Sequence, residues 1–104
     1  MERRAFLKEK ITNFVSFIKT TFGEENVLVK EFGDMIDVDK NGYEPFLKGL
    51  LTICEYLQLP MDDEEKKKNN MGRLELYLAW KGLSCDYAAK EKLLRYFDLF
   101  FKAF

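Results

Sequence analysis

The chain contains no histidine. That removes the side chain used most often as a general base or metal ligand near neutral pH, so a histidine-centred dyad or zinc site is excluded. Cysteine is scarce as well: Cys54 and Cys85 are the only two in 104 residues. They have neither metal-ligand spacing nor the density of a disulfide scaffold, which predicts reduced thiols. Cys54 lies in an apolar stretch beside Ile53 and reads as a small buried hydrophobe, with no base or second thiol spaced to activate it. Long hydrophobic runs are also missing. The longest are short pieces such as residues 49–54, far below the ~18 residues a spanning helix needs. Residues 1–8 are basic but lead into no hydrophobic segment or small-residue cleavage site, which predicts a cytoplasmic protein beginning at Met1. There is no glycine-rich phosphate loop and no G-x-S-x-G elbow. The carboxylates sit in solvated runs and are not set among apolar neighbours that would raise a pKa. No cofactor and no enzymatic activity are expected.

What the chain does have is apolar and charged residues in globular proportion, 47% and 34%, too apolar for disorder. Its length suits one domain with a modest core. The net charge of −1 conceals segregation: residues 1–22 sum to +3, residues 23–65 to −9 and residues 66–104 to +5. An acidic middle segment suits electrostatic steering of a basic partner. Nucleic acid is not an expected partner, because the single basic run, Lys66-Lys67-Lys68, directly follows Asp62-Asp63-Glu64-Glu65.

Periodicity predicts a mainly α domain of four helices with one short β-hairpin between the first and second. The first helix spans residues 3–22, with Leu7, Ile11, Phe14, Val15, Ile18 and Phe22 on one face and Gly23 as its stop. The hairpin covers residues 27–39. Val27-Leu28-Val29 and Ile36-Asp37-Val38 flank Gly33-Asp34, a dipeptide suited to a tight turn, and Phe32 pairs with Met35. Residues 43–58 form a second helix, apolar around most of its circumference, with Pro45 in its first turn. Residues 61–70 read as a charged connection whose acids could instead open the next helix. Residues 71–81 form the third helix, presenting Leu74, Tyr77, Leu78 and Trp80. Residues 85–103 form the fourth, capped by Ser84 or Asp86.

Two features suggest function. Asp37-Val38-Asp39-Lys40-Asn41-Gly42 matches the first six positions of an EF-hand calcium loop. The match then fails, with Glu44 at the eighth position, Pro45 at the ninth and Lys48 where a bidentate glutamate should close the site. A turn fits the segment better than an ion site, and no metal ligand is assigned. The second feature is the carboxyl end, where four of the ten phenylalanines fall in the last eight positions. Glu91, Arg95, Asp98 and Lys102 form one charged stripe with pairs at i,i+4 and i,i+3, and from Leu93 onward the rest of that helix is apolar. Phe100, Phe101 and Phe104 are therefore candidate self-association residues.

These features predict a non-catalytic protein-binding inhibitor. In length, in its lack of catalytic motifs and in its acidic patch the chain resembles small immunity proteins, which neutralise a protein toxin or nuclease. No motif is shared, so no residue is carried over. The partner-binding candidates come from this chain alone: Glu31, Asp34, Asp37, Asp39 and Glu44 around the hairpin, and Asp62, Asp63, Glu64 and Glu65 as a second acidic group. The alternatives are a homodimeric structural or regulatory adaptor acting through the carboxyl helix, and a weak EF-hand-like calcium binder.

Overall fold

A computed structural model describes residues 3–33, 42 and 44–103, which form five helices joined by turns and loops, with no strand among the described residues. The helices are α1 (Arg3–Phe22), α2 (Val27–Gly33), α3 (Glu44–Cys54), α4 (Glu64–Trp80) and α5 (Tyr87–Ala103). The mainly α expectation holds, and the hairpin does not. The chain divides into two compact units, residues 1–49 and 50–104.

In the first unit α1 buries Leu7, Ile11, Phe14, Val15 and Ile18, the face set by its 3.6-residue period, while Phe22 is half-buried. Phe14 meets Phe46 of α3 edge to face, with centroids 6.3 Å apart. α1 ends at Gly23, whose φ of +104° is a backbone state that L side chains avoid.

The residues predicted as the first strand of the hairpin form α2 instead, and Asn26 is the reason. Its Oδ1 accepts from the amides of Leu28 at 2.8 Å and Val29 at 3.0 Å, which caps the helix at N2 and N3. Its Nδ2 donates to the carbonyls of Gly23 and Ile18, which ties the cap to the end of α1. Asn26 is buried with every polar atom engaged. A cap of this kind outweighs the β preference of Val27 and Val29, which rests on cross-strand packing and is weak without a partner strand. Leu28 becomes a core residue at 1% exposure. The proposed second strand, with Met35 to Asp39, lies outside the described residues.

In the second unit α4 and α5 pack on each other, joined by a turn over residues 81–86. Gly82 has φ +74° and closes α4 with Gly82 N–H on Ala79 O and Leu83 N–H on Leu78 O, the paired bonds of a Schellman stop. Asp86 caps α5 by accepting from Ala89 N–H at 2.9 Å. The core here is Leu50, Ile53, Leu57, Leu74, Tyr77, Leu78, Leu93, Leu94, Phe97 and Phe100.

The charged connection predicted for residues 61–70 is largely helix, because α4 begins at Glu64. Asp63 caps it, accepting from Lys66 N–H at 2.8 Å. Glu64 and Glu65 occupy the first turn and the lysines follow, an order the helix dipole favours. The second helix is shorter than expected and stops at Cys54.

Candidate functional site

After Cys54 the chain leaves α3 through successive tight bonds, Tyr56 N–H to Ile53 O and Leu57 N–H to Cys54 O, and would be free to wander if α4 did not hold it. Two side chains of α4 do so. Asn70, fully buried, accepts from Gln58 N–H at 2.8 Å and donates to Gln58 O at 3.0 Å. Arg73, one turn on, donates from Nη1 to Tyr56 O at 3.3 Å. On the far side of the loop Met61 N–H reaches Asp98 Oδ1 at 2.8 Å, and Asp98 pairs through its other oxygen with Lys102 at 2.9 Å.

This clamp lays Tyr56 against the last two turns of α4. Its ring lies 5.4 Å from Tyr77 and 6.3 Å from Trp80, the latter at 80°. Tyr77 is buried beneath, with the Lys81 ammonium 5.7 Å from its centroid, a cation–π distance. Trp80 and its neighbour one turn back, Leu76, are 76% and 74% exposed, and Tyr56 is 37% exposed. Glu55, Tyr56, Arg73, Leu76, Tyr77 and Trp80 line an open groove of about 630 Å³. A second hollow of about 340 Å³ shares the same three rings and adds Thr52 and Lys81. Within the second unit these residues form a mainly apolar floor bearing one carboxylate and one guanidinium, with the Lys81 ammonium in the second hollow.

The sequence assigned Trp80 to the buried face of its helix, and the structure corrects this. At 100° per residue, Asn70, Leu74, Tyr77 and Leu78 define the core direction, from which Trp80 stands about 105° away and Leu76 about 145°. That signal was present in the sequence, because Leu74, Tyr77 and Leu78 alone already set a core direction more than about 100° from Trp80. Arg73 and Glu55 were missed because nothing local marks them.

The residues singled out from sequence fare differently. Glu44 is exposed at the first position of α3. Glu31 lies in α2 with no description of its side chain, and Asp34, Asp37 and Asp39 fall outside the described residues, as does the calcium-like loop up to Asn41. Asp62, Asp63, Glu64 and Glu65 are all exposed and adjacent. Asp63 is occupied as the cap, and Asp62 pairs with Lys66 at 3.1 Å. That hydrogen bond and the lysine's charge hold the Asp62 carboxyl below the usual carboxylate range. At the carboxyl end Phe100 is wholly buried, which removes it from the self-association candidates; Phe101 is 41% exposed and Phe104 is outside the described residues.

Chemistry at the thiols is suppressed. Burial pushes the Cys54 thiol up to about 11 and raises Cys85 as well, so both stay protonated and poorly nucleophilic at neutral pH. Among the described residues no group of three or more cysteine or acidic side chains is placed to hold a metal ion, and no helix is long and apolar enough to cross a membrane. No protein-family profile, no curated protein and no solved structure matches this chain.

Proposed function

We propose that the chain is a non-catalytic protein-binding domain that docks a protein through the Tyr56–Leu76–Trp80 face. One observation carries this reading: Leu76 and Trp80, successive on one helix face, are about three-quarters exposed beside a groove with an aromatic floor. Contiguous apolar surface of this kind is costly to expose and marks interaction sites. Tryptophan, tyrosine and arginine, all present here, are the side chains that most often dominate binding energy. The loop bearing Tyr56 is held by Asn70 and Arg73 before any partner arrives, which lowers the ordering cost of association.

A photo-crosslinking benzophenone side chain in place of Leu76, compared with the same group at the exposed Ala88 on α5, tests the reading in cells that produce the full chain. Covalent adducts to protein at position 76, lost when Trp80→Asp is added, are expected. No adduct at 76, or equal yields at both positions, overturns it.

As a second reading, the partner is a basic toxin or nuclease that the domain inhibits. Its support is the −9 sum over residues 23–65 and the four exposed acids at residues 62–65. Steering by those acids predicts that Asp62→Lys with Glu64→Lys slows association with the captured protein and flattens its salt dependence. An unchanged rate excludes it.

A further inference from the structure

Resting on the docking reading above, we infer that the occupant of the groove is a second copy of this chain, related by a two-fold axis that sets Glu55 of each copy against Arg73 of the other. An isologous interface must be complementary to itself: if one residue touches another across the axis, the reverse contact occurs too. A patch of one sign repels its own copy. This groove carries one residue of each sign, Glu55 and Arg73, both exposed, flanking an apolar floor, and so offers both halves of an ion pair that forms twice.

Neither charge is used up among the described residues. The Glu55 carboxylate has no hydrogen-bond or ion-pair partner among the described residues. Arg73 gives one N–H to Tyr56 O, leaving further donors of its five for a carboxylate. The spacing on α4 agrees. Leu76 is three residues from Arg73 and four from Trp80, near the middle of the exposed row. Two α4 helices crossing antiparallel at Leu76 therefore bring each guanidinium toward the Trp80 ring of the other copy, a favoured site for arginine, and toward the loop that carries Glu55. Leu76 packs on its own equivalent at the axis, where neither charge is buried alone.

Self-complementarity also supplies the test, because only a homodimer can be rescued by exchanging the two charges within one chain. Light scattering and sedimentation equilibrium on the full chain, kept reduced over about a hundredfold concentration range, read the mass directly. The wild-type chain should rise from its 12.3 kDa toward twice that value. Glu55→Arg or Arg73→Glu alone should raise the dissociation constant about tenfold or more, since each makes two attractive contacts repulsive. The double variant Glu55→Arg/Arg73→Glu should recover most of the wild-type value, and Trp80→Asp should leave a monomer. Because Arg73→Glu also removes the bond to Tyr56 O, Glu55→Lys/Arg73→Asp serves as an independent exchange, with circular dichroism verifying the fold.

A wild-type chain that stays at 12.3 kDa throughout, or a double variant no tighter than the singles, overturns the inference. If the chain stays monomeric while position 76 crosslinks to a different protein, the second-copy assignment fails and the docking reading survives. A dimer indifferent to Trp80→Asp forms through another face and sinks the second-copy assignment, leaving the docking reading to the crosslink at position 76.

Discussion

Asn70 and Gln58 are joined by two hydrogen bonds running in opposite directions: the asparagine side chain accepts from the Gln58 amide and donates to its carbonyl, as a neighbouring strand would. Asn70 is wholly buried, so this pair replaces water for a segment that leaves one helix before the next begins. Everything on the exposed face downstream depends on it, since Tyr56 is held two residues before Gln58.

Asn70→Ala should therefore cost about 2–4 kcal/mol, combining two lost bonds with two backbone groups left unpaired. Denaturant unfolding measures the loss. Trp80 is the single tryptophan, and its emission should shift as Tyr56 loosens against it. A stability loss below about 0.5 kcal/mol would mean that water substitutes freely for the side chain.

Asn26 is the corresponding point in the first unit. Asn26→Ala removes a cap and two buried donors together and should cost about 2 kcal/mol. Asn26→Asp keeps the cap acceptor but loses the bonds to Gly23 O and Ile18 O, so it should be destabilised while α2 persists. Backbone chemical shifts over residues 27–33 distinguish a melted helix from a loosened one.

The exposed apolar pair should be almost silent in folding. Leu76→Ser and Trp80→Ser are each expected to change stability by no more than about 1 kcal/mol, whereas Leu74→Ala on the opposite side of α4 should cost about 2–5 kcal/mol. If Trp80→Ser destabilised as much as Leu74→Ala, the face would be core, and the docking reading would lose its main support.

The pH dependence follows from three groups. With no histidine, the thermal midpoint should be nearly flat between about pH 6 and pH 8. Cys54 is raised by burial from 9.0 to about 11. A group raised in the folded state contributes fully below its unfolded value and loses that contribution as pH climbs through the folded one, so stability should fall between those two values, and Cys54→Ala should flatten the decline. Lys67, raised by its hydrogen bond and ion pair with Glu91, adds to the alkaline loss in the same sense. Asp62 is lowered by Lys66, so its contribution is present above the unfolded carboxylate value and disappears as pH falls through the folded one. Full exposure keeps that acid effect small. In the native state at pH 8 the raised Cys54 thiol should hold less thiolate than a free thiol, and a colorimetric disulfide reagent should react with it more slowly than with the unfolded chain.

Much of the fold was legible because its signals are periodic. The buried row of α1 from Leu7 to Ile18, the glycine stops at Gly23 and Gly82 and the Asp86 cap follow from spacing and backbone sterics. Of the paired charges expected on α5, Glu91 with Arg95 and Asp98 with Lys102 are formed, the first at 2.7 Å. The hairpin failed as an expectation because Val27-Leu28-Val29 satisfies a strand pattern and a short helix face equally well over so few residues. The tie was broken by Asn26, whose value as a cap depends on its reaching Ile18 O, eight residues back. The candidate site was barely legible for the same reason. Aromatic residues next to the buried row of a helix look like core, although the positions of Leu74, Tyr77 and Leu78 on α4 turn Leu76 and Trp80 outward.

By itself the sequence determined the helical class, the absence of histidine chemistry, the segregation of charge and the faces of the long helices, because these depend on composition and on a period of 3.6 residues. The tertiary structure alone decided that residues 27–33 are helical, that residues 64–70 join α4, that Phe100 is core, and that Glu55, Tyr56, Arg73, Leu76 and Trp80 share one surface. Those outcomes depend on hydrogen bonds and packing between residues far apart in sequence, such as Tyr56 against Trp80 and Met61 with Asp98, and no local pattern encodes such distances.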